Sequence, residues 1–357
     1  MTKVNVGMIG CGGIAMGKHL PSLEKVAEAQ VVAFFDVSAD RAHEAKNRFG
    51  THDARVYNDV HELLGDPDVH VVHVCTPNDT HAELSIAALE AGKHVLCEKP
   101  MAKTAEDARR MLEASERTGK KLSIAYQNRF RADSRWLHQA CRAGDLGEIY
   151  VAKAHAVRRR AVPTWGVFLD LEKQGGGPLI DIGTHALDLA LWMMDNYEPR
   201  TVLGTAYRKL AEQGSQANLW GPWDPAKFTV EDSAFAMITM QSGATVWLES
   251  SWALNTLDAD EAKVSLFGTK AGADMKKGLR VNGEEHGRLY TREIQMAGDF
   301  GGNPLPDDAA EQEARAWIEA IAYDREPVVT AKQGLVVQQI LEAVYESANK
   351  GQAVSFV

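Results

Sequence analysis

Short apolar runs alternate with amphipathic segments over the first third of the chain. The apolar runs are rich in β-branched residues, and the segments between them carry apolar residues at helical spacing. This alternation is typical of a parallel sheet covered by helices on both faces. We therefore predict a doubly wound, Rossmann-type dinucleotide-binding domain over residues 1–125. Its strands are expected at 4–9, 31–36, 55–57, 70–75, 94–97 and 122–125, and its helices at 14–26, 39–49, 59–64, 80–91 and 104–118.

The regular alternation stops at residue 126, and runs with a period of two residues follow. We predict a second α/β domain over residues 126–357. The segment 210–228 is rich in Gly, Pro and Gln, and long loops of this kind are often lids or binding loops. The expected strands are 149–157, 202–207, 230–240, 245–252, 262–267 and 289–296, and the expected helices are 134–143, 187–194, 309–322 and 331–349.

Length, charge and composition mainly exclude classes of protein. A chain of 357 residues is too long for one core, which favours two domains. The net charge of −10 argues against a nucleic-acid or anionic-membrane binder. No secretory leader pattern is present and no apolar run reaches about 20 residues, so we expect a cytoplasmic protein. The four cysteines are expected to be reduced core residues.

A glycine-rich turn follows the first predicted strand. Residues 10–15 fit the pattern G-x-G-x-x-A, in which the second glycine lets a pyrophosphate approach a helix N-terminus. Asp36 ends the next strand, where a carboxylate accepts ribose hydroxyls and repels a 2′-phosphate. We predict NAD rather than NADP, although the nearby Arg41 would favour NADP. The contacts expected here are Gly10, Gly12, Gly13, Ile14 and Asp36.

Two further segments, residues 75–81 and 98–100, follow predicted strands. A third segment, residues 126–130, lies at the crossover between the domains. Ligands of open parallel sheets bind outside the carboxyl ends of the strands, so we expect the two segments that follow strands to face the nicotinamide. Lys99, beside Glu98 and Pro100, can polarise a substrate hydroxyl. His81 has the alternative role of opening an amphipathic helix. The further cofactor contacts expected are Thr76, Pro77, Asn78, His81, Glu98, Lys99 and Asn128.

The motif GGGPLIDIGTHALD, residues 175–188, places Asp181, His185 and Asp188 four and three residues apart, on one face of a helix. Histidine titrates near neutral pH, so His185 is the expected base for a hydroxyl proton. Asp181 would bind a neighbouring hydroxyl or hold the imidazolium, and Lys99 would stabilise the alkoxide-like oxygen. Asp188 is expected to be structural. The alternative is that these side chains merely satisfy one another, and no metal site is expected.

Substrate contacts are expected from aromatic and arginine side chains of the second domain. Tryptophan rings offer flat faces to the C–H side of a sugar, although tryptophans also fill cores. Three successive arginines at 158–160 cannot share one strand face, so a solvated strand end is an equal alternative there. The candidates are Arg129, Arg158, Trp165, Trp220 and Trp223.

The glycine-rich start, CTPNDTH, CEKPMA and GGGPLIDIGTHALD, in this order and spacing, resemble the glucose–fructose oxidoreductase, inositol dehydrogenase and rhizopine-catabolism family, Gfo/Idh/MocA. The resemblance covers essentially the whole chain. It implies an N-terminal Rossmann domain and a C-terminal α/β domain whose large, mostly antiparallel open sheet makes oligomer contacts, with a tetramer favoured over a dimer or hexamer. It also implies catalytic roles for Lys99, Asp181 and His185.

The function expected is NAD-dependent oxidation of a secondary ring hydroxyl of a sugar or glycoside to a keto-sugar. The tryptophan-bearing segments favour a sugar or glycoside over a bare cyclitol. Three alternatives stay open: an inositol dehydrogenase, an enzyme that retains NAD and cleaves a glycoside through transient oxidation, and a non-catalytic sugar- or NAD-binding regulator. Intact Lys99, Asp181 and His185 argue against the last.

Overall fold

The computed structural model describes residues 3–213, 217–296 and 308–356. The chain divides into two compact units. The first comprises the described residues up to 130 together with Asp308–Leu335, and the second comprises the other described residues. Part of the predicted loop, residues 214–216, lies outside the described residues. Among the described helices, none combines the length and the hydropathy needed to cross a membrane.

Six parallel strands form the sheet described in the first unit. They run in the order β3-β2-β1-β4-β5-β6, and the reversal between β1 and β4 confirms the predicted doubly wound fold. The order places the apolar strands β1 and β4 in the middle, where both faces are covered. The strands are β1 (Val4–Ile9), β2 (Ala29–Phe35), β3 (Arg55–Val56), β4 (Val71–Val74), β5 (His94–Cys97) and β6 (Leu122–Ile124).

Helices follow the first five strands of this unit. A π-helical turn, Ala15–His19, precedes α1, where one regular helix is predicted. Pro21 explains the difference, because its nitrogen cannot donate to the carbonyl four residues earlier. Thr104 caps α5 by accepting the Asp107 N–H at 3.1 Å. The helices are α1 (Leu20–Glu24), α2 (Ala39–Phe49), α3 (Val60–Gly65), α4 (His81–Glu90) and α5 (Ala105–Thr118).

The second unit is built on a larger sheet, with nine strands among the described residues. Its order is β14-β13-β12-β11-β7-β10-β9-β8-β15. Every pairing is antiparallel except that of β7 with β10, which confirms the mostly antiparallel sheet that the resemblance implies. The elements after residue 130 are α6 (Ala132–Ala143), β7 (Ile149–Val157), α7 (Leu171–Gln174), α8 (Thr184–Met194), β8 (Pro199–Tyr207), β9 (Ser233–Met240), β10 (Thr245–Ser251), β11 (Glu261–Gly268), β12 (Ala271–Asp274), β13 (Arg280–Glu285), β14 (Arg288–Glu293), α9 (Ala309–Ala322), α10 (Ala331–Lys350) and β15 (Val354–Ser355).

Helix α9 belongs to the first compact unit, which differs from the single division expected at residue 125. Ala314, Trp317 and Ile318 are buried in the same apolar cluster as Val6 and Met8 of β1. Burial of these side chains against the parallel sheet gives α9 its place there. The predicted second domain therefore contains a segment, Asp308–Leu335, that packs with the first unit.

The two faces of the nine-stranded sheet differ. One face is buried and packs against α8, with Val246, Leu248, Val264 and Leu266 fully or almost fully enclosed. The alternate positions point to the other face, which leaves large apolar side chains exposed. These are Leu203, Tyr207, Trp247 and Phe267.

Candidate active site

The carboxyl ends of five strands in the first unit lie in register. Ile9 of β1 pairs with Phe35 of β2 and Val74 of β4, and the pairing continues through β5 and β6. The ladder extends one residue further, because Cys75 N–H donates to the Ile9 carbonyl at 2.8 Å and Glu98 N–H to the Val74 carbonyl at 2.9 Å. The glycine-rich turn, Asp36, the segment 75–78 and Lys99 therefore all begin at one edge of the sheet.

The glycine-rich turn combines a left-handed backbone at Gly10 with open space beside Gly12 and Gly13. Gly10 has φ +88°, and a Cβ there would lie 2.6 Å from the Cys75 carbonyl oxygen, so only glycine fits. At Gly12 and Gly13 a Cβ would meet no heavy atom of the described chain within 4 Å. Ile14, at the start of the helix, is 42 % exposed. These residues fit a dinucleotide whose phosphates approach the helix N-terminus.

Asp36 is fixed beside this turn. Its two carboxylate oxygens accept the backbone N–H of Cys11 at 2.7 Å and of Ser38 at 2.8 Å. Burial and the neighbouring Asp36 carboxylate raise the pKa of the Cys11 thiol to about 12, so Cys11 is an inert core thiol. A negative charge is thus held at the end of β2.

The other expected cofactor residues of this edge lie on short turns. Thr76 follows β4, and its hydroxyl accepts a hydrogen bond from Thr80 at 2.7 Å. Pro77 and Asn78 come next, with Asn78 opening a 3-10 turn (Asn78–Thr80). Asn128 lies in a second 3-10 turn (Gln127–Phe130) after β6 and is partly exposed.

Lys99 follows β5 with a well-fixed backbone. Its N–H donates to Glu98 Oε2 at 3.0 Å. The Lys99 side chain is partly exposed, whereas Glu98 is buried. Lys99 is therefore held at the carboxyl edge of the sheet.

Asp181 and His185 occupy consecutive turns of one helical segment in the second unit. Asp181 lies in a π-helical turn, Leu179–Gly183, and His185 lies at the start of α8. Trp252 Nε1 donates to Asp181 Oδ2 at 3.0 Å, which orients the carboxylate. Asp181 is partly exposed, while Asp188 is fully buried, as a structural role for Asp188 requires.

An aromatic row leads away from Asp181. We use this name for Trp252, Phe168, Trp165 and Trp220. The ring centroids are 6.4 Å apart between Trp252 and Phe168, 5.7 Å between Phe168 and Trp165, and 4.8 Å between Trp165 and Trp220. Trp252 is fully buried, whereas Trp165 and Trp220 are 50 % and 39 % exposed. The row therefore runs from Asp181 to the surface of the unit.

Arg158 extends the exposed end of this row. Its guanidinium lies 5.4 Å above the Trp220 ring and binds both carboxylate oxygens of Glu261, at 2.6 and 2.7 Å. Burial alone would lower the pKa of Arg158, but the hydrogen bonds and charge of Glu261 raise it. Arg158 is thus a neutralised and stacked cation, which suits contact with an uncharged ligand.

Comparison with known proteins identifies the family. A family model described as an oxidoreductase family with an NAD-binding Rossmann fold matches residues 4–126, and its C-terminal α/β domain model matches residues 139–356. The chain belongs to the Gfo/Idh/MocA oxidoreductase family. This result confirms the predicted family, the fold class and the assignment as an NAD-binding oxidoreductase.

Several relatives of this Gfo/Idh/MocA oxidoreductase have names that state an activity. D-glucoside 3-dehydrogenase of Escherichia coli K12 is 36 % identical over 353 residues, which cover 99 % of this chain and 97 % of that protein. Myo-inositol 2-dehydrogenase of Thermotoga maritima is 30 % identical over 267 residues, covering 75 % and 73 %. The structure of levoglucosan dehydrogenase in complex with NADH and L-sorbose matches with a TM-score of 0.83 at 25 % identity, covering 99 % of each chain.

One arginine and one tryptophan that the sequence suggested as substrate contacts have other roles in this Gfo/Idh/MocA oxidoreductase. Arg129 is fully buried, and its Nη1 donates to the Val328 carbonyl at 3.0 Å and to Gln333 Oε1 at 2.8 Å. Trp223 is also buried, with Nε1 donating to the Ala211 carbonyl at 3.1 Å. Both side chains donate hydrogen bonds to acceptors inside the protein. They therefore hold loops together.

His81 and Glu98 also differ from the expected role of direct cofactor contact. The His81 ring is fully buried, with its nitrogens 2.8 Å from the Pro100 carbonyl and 2.9 Å from the Thr76 carbonyl. Burial lowers the pKa of His81. The ring therefore joins the segment after β4 to the one after β5, and Glu98 is engaged by donors of the protein itself.

Glu231 is a structural support of the site that sequence reasoning missed. Its carboxylate accepts the N–H of Gly177 at 2.8 Å and of Leu179 at 3.1 Å, together with the Tyr345 hydroxyl at 2.9 Å. The Gly177 and Leu179 N–H groups lie at the start of the helical segment that carries Asp181, where backbone donors have no partner within the helix itself. A Cβ at Gly177 would lie 2.2 Å from the Glu231 carbonyl oxygen. The glycine run therefore allows close packing against Glu231.

Burial raises the pKa of Glu231 from 4.5 to about 7, which predicts a pH-dependent stability. The folded state then binds a proton more tightly than the unfolded state, so stability should fall as pH rises from about 4.5 through 7. The loss should be about 3 kcal/mol. Urea unfolding at several pH values gives the slope of the unfolding free energy against pH. Between pH 4.5 and 7 the wild type should lose about 3 kcal/mol more than Glu231→Gln. Equal slopes in the two proteins would contradict the assignment.

Proposed function

We propose that this protein catalyses NAD-dependent oxidation of a secondary ring hydroxyl of a sugar or glycoside to a keto-sugar. The observation that carries the proposal is the helical segment in which Trp252 orients Asp181 one turn before His185, at the inner end of the aromatic row. Such a carboxylate and imidazole suit the removal of a hydroxyl proton.

The roles of the side chains follow from their chemistry. NAD, when bound, supplies the hydride acceptor, and Gly10, Gly12, Gly13 and Asp36 are the residues that would hold it. His185 takes the hydroxyl proton as a general base. Asp181 binds a neighbouring hydroxyl or stabilises the imidazolium that forms. The Lys99 ammonium stabilises the developing negative charge on the oxygen.

The aromatic row supports a pyranose or glycoside over a bare inositol. Trp165 and Trp220 expose broad ring faces, and Arg158 above Trp220 is neutralised by Glu261. These surfaces suit the apolar face of an uncharged sugar and extend further than one small ring requires. The names of the relatives, D-glucoside 3-dehydrogenase and levoglucosan dehydrogenase, favour the same substrate class.

The proposal is tested by the absorbance of reduced nicotinamide. Purified protein with added NAD is offered inositols, free hexoses, and alkyl or aryl glycosides in parallel. A steady rise with hexoses or glycosides supports the proposal, and a rise with inositols alone overturns its substrate class. Free reducing sugar released from glycosides without accumulation of NADH would favour the glycoside-cleaving alternative. No reaction with any class would favour a binding protein.

Asp36 predicts a preference for NAD over NADP. Its fixed negative charge should repel a 2′-phosphate, so kcat/KM should be at least about a hundredfold higher with NAD. Asp36→Ala should reduce this ratio mainly by improving kcat/KM for NADP. Steady-state kinetics with both cofactors give the ratio, and Asp40→Ala, on the exposed first turn of α2, is the matched control. A wild-type preference for NADP would refute the role of Asp36.

The open face of the nine-stranded sheet supports a homo-oligomer, with a tetramer as the default. Leu203, Trp247 and Phe267 are exposed on one face, and Leu203 and Trp247 line a groove of about 760 Å³ there. Contiguous exposed apolar surface of this kind marks an interaction site. Sedimentation at micromolar concentration should give an oligomer that Trp247→Glu weakens, and a wild-type monomer would contradict it.

A further inference from the structure

A cluster of charged groups is buried in the first unit, and the proposed chemistry does not use it. Lys18 and His19 come from the helix after the glycine-rich turn, Glu98 follows β5, and Glu313 lies on α9. The side chains of Lys18, Glu98 and Glu313 are only 10, 7 and 5 % exposed. Buried charges are costly unless paired, so their arrangement calls for a reason.

The cluster converges on one carboxylate. Lys18 Nζ donates to Glu98 Oε1 at 2.8 Å and to Glu313 Oε2 at 2.9 Å. His19 Nε2 lies 2.8 Å from the same Oε1 and must donate to it, since a carboxylate only accepts. The other oxygen, Oε2, accepts the backbone N–H of Lys99. Glu98 therefore connects a buried cation with the backbone of Lys99.

The protons of this cluster have one consistent arrangement. Burial, and then the charge of Lys18, lower the pKa of His19, and burial lowers that of His73 further. In a neutral His19 that carries its proton on Nε2, Nδ1 is an acceptor. His73 Nδ1 lies 3.1 Å away and can donate to it. The ring orientations are thereby locked, and His19 cannot turn away from Glu98.

Lys18 keeps Glu98 in the form that this arrangement needs. Burial alone would raise the pKa of Glu98, but the charge of Lys18 and the hydrogen bond from His19 hold it well below its usual value. An ionised Oε2 is a stronger acceptor for the Lys99 N–H than a neutral carboxyl oxygen. Glu313 also binds Lys18, and it does so from α9, a helix that is far away in the sequence.

We propose that Lys18 and Glu313 are positioning residues that act through Glu98 to fix the backbone of Lys99. This inference rests on the proposed function only in so far as Lys99 is catalytic. Neither residue needs to touch substrate or cofactor. Their effect is on the placement of the Lys99 ammonium, and small displacements of a catalytic group can cost large factors in rate.

Amide hydrogen exchange tests the positioning step without reference to activity. The exchange rate of the Lys99 amide, resolved by mass spectrometry with fragmentation, should rise about tenfold or more in Lys18→Met. The matched control is Lys25→Met, which removes an exposed ion pair to Asp308, the cap of the same helix α9. Lys25→Met should leave Lys99 exchange unchanged. An unchanged rate in Lys18→Met overturns the proposal, whatever the enzyme does.

Kinetics then separate positioning from a merely structural role. In Lys18→Met, kcat should fall about tenfold while the Kd for NAD and the substrate KM change little. Lys18→Arg, which keeps the charge, should retain most of kcat. If the wild type oxidises no sugar, the proposed function fails while the exchange result still stands. If Lys99 exchange rises but kcat is unchanged, the link to catalysis is refuted.

A second variant covers failure of Lys18→Met to fold. Glu313→Gln leaves the Lys18–Glu98 pair intact and removes one of the two carboxylates that hold Lys18. It should give a smaller rise in Lys99 exchange than Lys18→Met and a smaller fall in kcat. Wild-type exchange at Lys99 in Glu313→Gln would remove Glu313 from the proposal.

Discussion

Replacement of His185 by alanine is expected to lower kcat by about three orders of magnitude, within the range for a lost general base. Without an imidazole at the start of α8, the hydroxyl proton has no acceptor of suitable basicity there. The Kd for NAD should stay close to that of the wild type, because the expected NAD contacts lie in the first unit. Steady-state oxidation rates and fluorescence titration with NADH measure the two quantities separately.

His138→Ala is the matched control for this result. The His138 ring stacks on Trp192 of α8 at a centroid distance of 3.8 Å, so its loss disturbs the packing of the same helix without removing the proposed base. Its kcat should fall by much less than that of His185→Ala. Added imidazole should restore part of the rate to His185→Ala alone. Similar losses in both variants, or unchanged turnover in His185→Ala, would refute the general-base assignment.

The cofactor edge was predictable because its requirements are local. The tight turn at Gly10 depends on one backbone angle that favours glycine, and Gly10 directly follows a strand that the apolar run predicts. Asp36 and Lys99 each follow a strand that an apolar run predicts. Since parallel strands share one carboxyl edge, sequence order alone was sufficient to place these residues together.

The strands β12 and β13 of the second unit, which lie inside the nine-stranded sheet, were not predictable in the same way. β12 reads AGAD and β13 reads RVNGEE, and neither shows the alternation of apolar and polar residues that identifies a strand. Their partners across the sheet decide their conformation, and β-propensity depends strongly on such context. The π-helical turn at Leu179–Gly183 was equally hidden, because it depends on contacts with residues distant in the sequence.

Buried polar partners were the largest gap in the prediction of the site. Glu231 and Glu313 support Asp181 and Lys18 respectively, but each lies far along the chain from the motif it holds. No spacing rule connects a helix start with a carboxylate about fifty residues later. For the same reason the sequence suggested that Arg129 and Trp223 contact the substrate. Their hydrogen bonds to buried carbonyl groups show instead that they join loops.

Replacement of Lys99 by alanine is expected to lower kcat by about a hundredfold to a thousandfold, the usual cost of losing one group that stabilises a developing oxyanion. The ammonium is proposed to act on charge that appears only as the hydroxyl proton leaves, so the substrate KM should change much less than kcat. Oxidation of a substrate deuterated at the reacting carbon should show a larger isotope effect on kcat than in the wild type, because the chemical step becomes slower than product release.

Lys332→Ala, at an exposed position of α10 in the same unit, controls for loss of a positive charge and should leave kcat unchanged. Lys99→Arg keeps the charge but moves it onto a planar group with different reach, so it should recover only part of the rate. If Lys99→Ala raised KM and left kcat unaltered, Lys99 would be a ground-state binding residue. The Lys18 variants would then be expected to affect KM as well, because both act on the same stretch of backbone.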